Sequence, residues 1–544
     1  MSSLLSTLFV AAIDLIVDSG KNAEESNETV LVDENYHGLI VREIDDIKLK
    51  LEGRRASEDL LTSIGVLKEG IELLYGVFDK TKFTRKSSEQ MTQASGSQTS
   101  FTSKLELGDL DESTNTAFAT MKETFKDARL KATKAFVNDA LEISDRILAM
   151  QYRVIATILE SIDNLVDALQ VCKLCIEELH SLPAVQNSFK VELKKGLLSR
   201  LNREKRREII FTVCRINRAI YDITKAVGKG EHVWIWPFVD TGEDKVDPLR
   251  DARITNVLRR QGKKNVFVTP WSFGQEEDNH KLKQPRRVAT NTEGKFIVAD
   301  YGNSNVTVFE SSGKFLFALP LPADAAGGRF YVRDVATDSN GNTYVLVSVK
   351  KSGSEEYSVC VFSNDTELHH RIPLIQGTWH WSRFTVTDSG KVMVLAIRER
   401  KEVIDEYDSD GQFLRSFGEG VLKDPSDITA SNDGYVMVIN KGDSQVHVYN
   451  DLGEHLHKFK VPLRSCSSLK IAFHRASEYV VVAGYEKEKA HLHVIICTKD
   501  GQFVRRVVLD EEKDDWLLGI AVTVEGRIAV AFQDVHRIGK VIVL

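Results

Sequence analysis

Cysteine is scarce in this chain. Six residues in 544, at Cys172, Cys175, Cys214, Cys360, Cys466 and Cys497, are too few and too scattered for a disulfide framework. Their spacing also lacks the clustered Cys/His pattern of a RING or zinc-finger module, and it favours a reducing, cytoplasmic setting. Proline is sparse too, and between Asn115 and Leu182 there is neither proline nor glycine. No apolar run is long enough to span a bilayer. SSLLSTLFVAAIDLIVDSG is broken by Asp14 and has no basic flank, so it reads as an amphipathic helix rather than a signal peptide or anchor. A net charge of -7 is small for this length and makes no global case for nucleic acid or an anionic membrane as partner. GxSxG, P-loop, HExxH and kinase signatures are missing, so the motifs name no reaction and no cofactor.

What is present falls into two halves. Leu60, Ile64, Leu67, Ile71 and Leu74 recur at helical spacing, as do Leu148, Tyr152, Ile155, Leu159, Ile162, Val166, Leu169, Cys172, Ile176 and Leu179. The glycine-free stretch predicts one long helix or two stacked ones, ended near Pro183. Its stripe suits either a bundle core or a coiled-coil seam that would make the protein an oligomer. Between the helical blocks, SSEQMTQASGSQTSFTS reads as a flexible linker.

After about residue 262 the period changes from helical to alternating. RVATN, DVATD, FTVTD, DITAS, KIAFH and GIAVT begin six units roughly 43 to 50 residues apart. The early units each predict a strand, a glycine turn, a strand, a polar turn, a strand, a tight turn and a fourth strand. Four short strands per unit at this period predict a β-propeller blade. The last unit stops at its third strand, KVIVL, so the lone strand VFVTPWSFG, residues 266–274, is expected to complete it and close the ring. The expected fold class is therefore α plus all-β multidomain. It comprises a helical segment over 1–81, a Ser/Thr/Gln-rich linker over 82–114, a long-helix region over 115–230, a connector over 231–262 and a six-bladed propeller over 263–544.

The first unit, PRRVATNTEGKFIVADYGNSNVTVFESSGKFL, resembles an NHL repeat, and the fourth, DPSDITASNDGYVMVINKGDSQVHVYNDLGEHLHKF, is similar to it. The order of helices and propeller resembles the C-terminal half of tripartite-motif NHL proteins, without their RING and B-box. That resemblance implies a binding propeller and does not carry ubiquitin ligase activity with it.

The candidate chemistry is modest. Asp300 and Asn303, and Asp408 and Asp410 in DEYDSDG, sit where blade turns are expected. His455 with His457 and His491 with His493 each share one strand face, which leaves a metal site open at either pair. Cys172 and Cys175 lie in a predicted helix, without the strand context of a redox motif. Lys194, Lys195, Arg200, Arg203, Lys205, Arg206 and Arg207 form a basic helical run that is either a solvated face or a contact for phosphate or membrane. Trp379, Trp381, Arg329 and Tyr331 are candidate partner-binding residues. Trp234 and Trp236 are expected to dock within the molecule.

The expected function is a non-enzymatic scaffold or adaptor. The propeller would bind a protein, and the helices would mediate self-association. The alternatives are an RNA-binding regulator of the NHL type, a membrane-acting or cell-death and immune-type helical domain regulated by the propeller, and a metal-dependent propeller lyase.

Overall fold

The structure is a computed structural model. It describes residues 34–52, 57–80, 112–194, 202–226, 233–261 and 268–544, the last stretch interrupted at 269, 276–279, 323–328, 352–353, 376–382, 464–465, 467, 487, 489–490 and 511–515. The amphipathic helix expected near the N-terminus and most of the 82–114 linker lie outside the described residues. The chain divides into two compact units, one of residues 1–231 with 235–268 and one of 232–234 with 269–544.

In the first unit the described residues form helices α1 (Glu34–Glu52), α2 (Glu58–Lys80), α3 (Glu112–Val137), α4 (Ile143–Glu160), α5 (Leu165–Ser181), α6 (Pro183–Leu193), α7 (Arg203–Ala226) and α8 (Ala252–Arg259). The stretch expected as one or two long helices is three. Its breaks contain neither glycine nor proline. At the first, the Asn138 side chain accepts from the backbone N–H of Ala140 at 3.0 Å, and at the second Asn164 donates to Asp167 at 2.6 Å. Short amide side chains offer the backbone an alternative to the helical ladder, which is enough to end a helix. The stripe from Leu148 to Leu179 is buried in one core with Ile64, Phe125, Ile210 and Ile220, so it packs a bundle.

The segment expected as a connector contributes to that same core. It forms a ribbon of β1 (Val239–Asp240) and β2 (Lys245–Val246) before α8. Trp236 is buried, its indole N–H donating to Asn217 Oδ1 at 3.2 Å and its ring meeting Tyr221 edge-on. No helix among the described residues is long and apolar enough to cross a membrane.

The second unit is a ring of six four-stranded antiparallel sheets. Strand β3 (Trp271–Phe273) opens it. Blade 1 holds β4 (Pro285–Thr290), β5 (Phe296–Asp300), β6 (Asn305–Phe309) and β7 (Phe315–Ala318), and blade 2 holds β8 (Arg329–Thr337), β9 (Thr343–Lys351), β10 (Ser354–Phe362) and β11 (Leu368–Pro373). Blade 3 holds β12 (Phe384–Val386), β13 (Val392–Arg398), β14 (Lys401–Tyr407) and β15 (Phe413–Phe417), and blade 4 holds β16 (Pro425–Ala430), β17 (Val436–Asn440), β18 (Gln445–Tyr449) and β19 (His455–Lys460). Blade 5 holds β20 (Ser468–His474), β21 (Tyr479–Glu486), β22 (His491–Thr498) and β23 (Phe503–Asp510). Blade 6 has only β24 (Trp516–Val522), β25 (Ile528–Gln533) and β26 (Gly539–Val543), and β3 supplies its fourth strand, Phe273 pairing with Val541 and Trp271 with Val543.

The inner strands are almost wholly buried and the outermost ones largely exposed, as in β5 against β19. The glycines of the tight turns sit at positive φ. Gly501, at +82°, also lies so close to Phe459 that a Cβ would come within 2.3 Å of its ring. VKKSGSEEYS, which reads as a loop, is mostly the β9–β10 hairpin, paired out to Lys351 and Ser354. These nine-residue strands make blade 2 taller than blade 1, whose second and third strands have five. Trp234 packs against His474 and Tyr479 of blade 5.

Phe273 joins the closing strand to the blade 1 rings, its centroid 5.1 Å from Phe296 and 4.8 Å from Phe309. Phe273→Ala is expected to cost about 3 to 5 kcal/mol in urea unfolding of the full chain. Leu456→Ala, on the exposed outer strand β19, is expected to stay within about 0.5 kcal/mol.

Candidate functional site

Six residues meet on the propeller axis. Each innermost strand, or in blade 3 the residue just before it, presents one at the same register, seven positions before the glycine of the following turn in five blades: Arg287, Asp334, Arg383, Asp427 and Gly519, with Lys470 in the equivalent place in blade 5. The first five around the ring alternate in sign, and all five are buried. Arg287 reaches from blade 1 across the axis to blade 4, its Nη1 donating to both carboxylate oxygens of Asp427 at 2.6 Å. Asp334 lies 3.8 Å from Arg287 Nε and 3.6 Å from Arg383 Nη1. Arg383 donates to the carbonyls of Arg286 in blade 1 at 2.9 Å and Leu518 in blade 6 at 2.8 Å. Gly519 has no side chain because β24 lies against β4, where a Cβ would stand 2.9 Å from the Arg287 Cα.

The carboxylates also tie blades together through backbone. Asp427 accepts from Ile428 N and, in blade 5, Ile471 N at 3.0 Å each, and Asp334 accepts from Val335 N at 2.9 Å and Phe384 N of blade 3 at 3.2 Å. Burial acts to raise the Asp427 carboxyl, but Arg287, Lys470 and Arg383 together hold it below its ordinary range. At Asp334 burial prevails over the more distant guanidinia and the carboxyl is raised. Burial, with repulsion from Arg383 and Arg287 outweighing attraction to Asp427 and Asp334, pushes the Lys470 ammonium down to about 7.

On the face where each second strand ends, here called the upper face, a second group adjoins the axis. The Arg286 guanidinium lies 3.7 Å above the Tyr301 ring, and Tyr301 stacks on Tyr331 at 5.3 Å. Arg333 spans Tyr301, Tyr331 and Tyr357 at 5.1 to 5.8 Å and pairs with Glu355, which also accepts from Ser348 at 2.7 Å. Burial, with repulsion from Arg383 and Arg333, brings Arg286 down to about 10. Half-buried arginines alternating with flat aromatic faces form a surface that can stack on planar groups and hold anionic ones.

The NHL repeat family model matches residues 282–309, from the approach to blade 1 through its third strand. Protein brain tumor of Drosophila melanogaster is 24% identical over 179 residues, which is 33% of this chain and 12% of that protein. The C-terminal half of the chain is a six-bladed propeller whose first blade matches the NHL repeat. Among solved structures, a streptogramin B lyase aligns over 51% of this chain and 97% of its own at 12% identity and a TM-score of 0.35. A glucose dehydrogenase aligns over 51% and 99% at 11% identity and a TM-score of 0.36.

Within the propeller, the turn residues read from the sequence are held by backbone hydrogen bonds. Buried Asp300 accepts from the backbone N–H groups of Lys283, Gln284 and Gly302 and from the Asn303 amide, at 2.7 to 3.1 Å. Burial raises its carboxyl against the pull of those donors. Asp408 caps its turn by accepting from Asp410 N and Gln412 N. His455 meets His447 at 3.1 Å, while His457 stacks beside Phe459, so these two do not converge. His491 and His493 do converge, together with Glu486. Cys172 and Cys175 are buried in the bundle, and burial pushes both thiols up, Cys175 to about 11.

Of the candidate partner residues, Tyr331 lies in the stacked group. Arg329 begins β8 in the same blade, and Trp379 and Trp381 lie outside the described residues. In the basic run, Arg206 and Arg207 both fork onto buried Glu192 at 2.9 Å, and Lys194 pairs with Glu243 at 2.7 Å. Arg203 and Lys205 are exposed, and Lys195 and Arg200 lie outside the described residues.

Asp427→Ala leaves the buried Arg287 guanidinium without its closest counter-charge. It is expected to cost about 3 to 5 kcal/mol in urea unfolding at pH 7. Lys470→Met should act in the opposite sense. A lysine titrating near 7 in the folded chain, against an ordinary value of about 10.4, destabilises fully below pH 7, and that cost fades as pH rises toward 10. The methionine variant is therefore expected to gain on the order of 3 kcal/mol at pH 6 and almost nothing at pH 10, read from paired denaturation curves.

Proposed function

We propose that the protein is a non-enzymatic adaptor whose NHL propeller binds a protein partner on its upper face, while the helical unit mediates self-association. The observation that carries this reading is the Arg286–Tyr301–Tyr331–Arg333–Tyr357 stack, since clustered tyrosine and arginine are the residue types that dominate binding energy at protein interfaces. Tyr331, Arg333 and Tyr357 stand on the paired strands of the tall blade 2 rather than on loops. On the axis both carboxylates are already engaged by arginine and backbone N–H groups, which supports binding over metal-assisted chemistry there. For self-association the support is apolar exposure on the helices, with Leu49, Leu130, Val137 and Leu174 each close to half exposed or more.

A second reading is favoured by the same stack. Arginine interleaved with tyrosine suits unpaired RNA bases, which stack on aromatic faces while phosphates meet guanidinia. The deciding experiment is capture of cell-lysate components by the full chain and by the Tyr331→Ala/Arg333→Ala double variant, with and without nuclease. The adaptor reading expects protein capture that survives nuclease and falls at least tenfold in the double variant. Capture abolished by nuclease supports RNA, and capture unchanged in the double variant removes the upper face from either reading. Sedimentation velocity across a hundredfold concentration range tests self-association, with a concentration-dependent rise in mass expected.

A further inference from the structure

The seam between blades 4 and 5 changes character toward the upper face. Its lower part is closed by Val480, Val482, Ile495 and Cys497, packed against Met437, Val446 and Val448. The same side of the blade 5 sheet, followed upward, carries His493 opposite Gly484, then His491 opposite both Glu486 and Asp510. Residues paired across neighbouring strands point to one side, and so do residues two apart on a strand. Three adjacent strands thus deliver two imidazoles and two carboxylates to one end of one seam.

The side-chain atoms converge as the register requires. One donor atom each from Glu486, His491 and His493 lies within 4.8 Å of the others. His493 Nε2 is 3.1 Å from Glu486 Oε2, and His491 Nε2 is 3.3 Å from Asp510 Oδ1. The geometry points to a site for a divalent transition-metal ion, with Glu486, His491 and His493 as ligands and Asp510 holding the His491 ring in place.

Two imidazole nitrogens and a carboxylate oxygen form a donor set that suits zinc and its borderline neighbours, with room for water in a remaining position. Bonds of about 2.0 to 2.1 Å in a tetrahedral arrangement put donors about 3.4 Å apart. The present spacing needs side-chain rotation of an ångström or so and no movement of the strands. Charge is consistent with a dication: Glu486 and Asp510 are both on this side, and the nearby cation, Arg506, directs its Nη2 to the Pro462 carbonyl at 2.7 Å. Glu486, the most buried of the three ligands at 8% exposure, fixes the inner end, and His491 and His493 are only partly buried, so an ion can enter from solvent. A carboxylate hydrogen-bonded to a metal-binding histidine is the usual outer partner at such sites, which is where Asp510 stands. The other histidine pair lacks this convergence: His455 is turned onto His447, and among the described residues no carboxylate is grouped with the pair.

The test uses the untagged full chain, stripped with chelator, titrated with zinc by calorimetry and with cobalt(II) by visible absorption. One equivalent of zinc is expected to bind, with a cobalt spectrum of low coordination number and a rise of several degrees in the melting temperature. His493→Ala and Glu486→Gln should each lose binding by at least a hundredfold, and Asp510→Asn by about 10- to 100-fold. His455→Ala should bind as the parent does. Melting curves of the metal-free variants separate loss of binding from loss of fold, and the solvent-facing His491→Ala serves as the variant least able to disturb packing. The proposal is overturned if the folded parent takes up no zinc, if His491→Ala and His493→Ala bind unchanged, or if binding is lost only in His455→Ala.

Discussion

The contact between Arg287 and Asp427 spans the propeller axis, and most of the unit's geometry is arranged around it. Six inner strands bring buried charged side chains together on the axis, so the charges there must satisfy one another. Alternation of sign around the ring achieves this locally. The backbone N–H groups of Phe384 and Ile471 bring neighbouring blades onto the same two carboxylates. Removing one member leaves a buried charge whose desolvation is no longer fully offset. Lys470 is the imperfect member. Three cations face two anions, and the lysine, rather than either guanidinium, is the group able to shed its proton.

The same axis positions the upper-face stack. Arg286 precedes the axial Arg287 by one residue, so the strand that commits one guanidinium inward presents the next toward the rim. Arg383, donating to the Arg286 carbonyl, fixes that backbone from across the ring. Tyr301 follows Asp300, whose carboxylate ties the start of β4 to the end of β5. The rim aromatics are therefore held by residues that also close the ring, and this rigidity is what a binding face requires.

The blade count and ring closure were legible in the sequence because turn glycines and alternating strands repeat in phase. The axial charges were equally periodic, seven positions before those glycines, but the period is visible only once the repeats are aligned on the turns. FTVTD, aligned one residue late, hid Arg383. In the helical half, Asn138 and Asn164 ended helices that the apolar stripe alone would have continued. Of the blade 5 cluster, His491 and His493 could be paired by strand periodicity. Glu486 and Asp510 come from neighbouring strands whose register a lone sequence does not display.

Ring closure also has a cost in time. Phe273 and Val541 are about 270 residues apart in sequence, yet they are neighbours in one sheet. During synthesis Trp271 and Phe273 emerge long before any partner exists for them, and five blades must assemble while the ring still has two open edges. Pairing at such separation is slow, and unpaired aromatic strands are the ones most prone to join the wrong chain. Strand edges of the nascent ring accordingly stay open until the last blade is made.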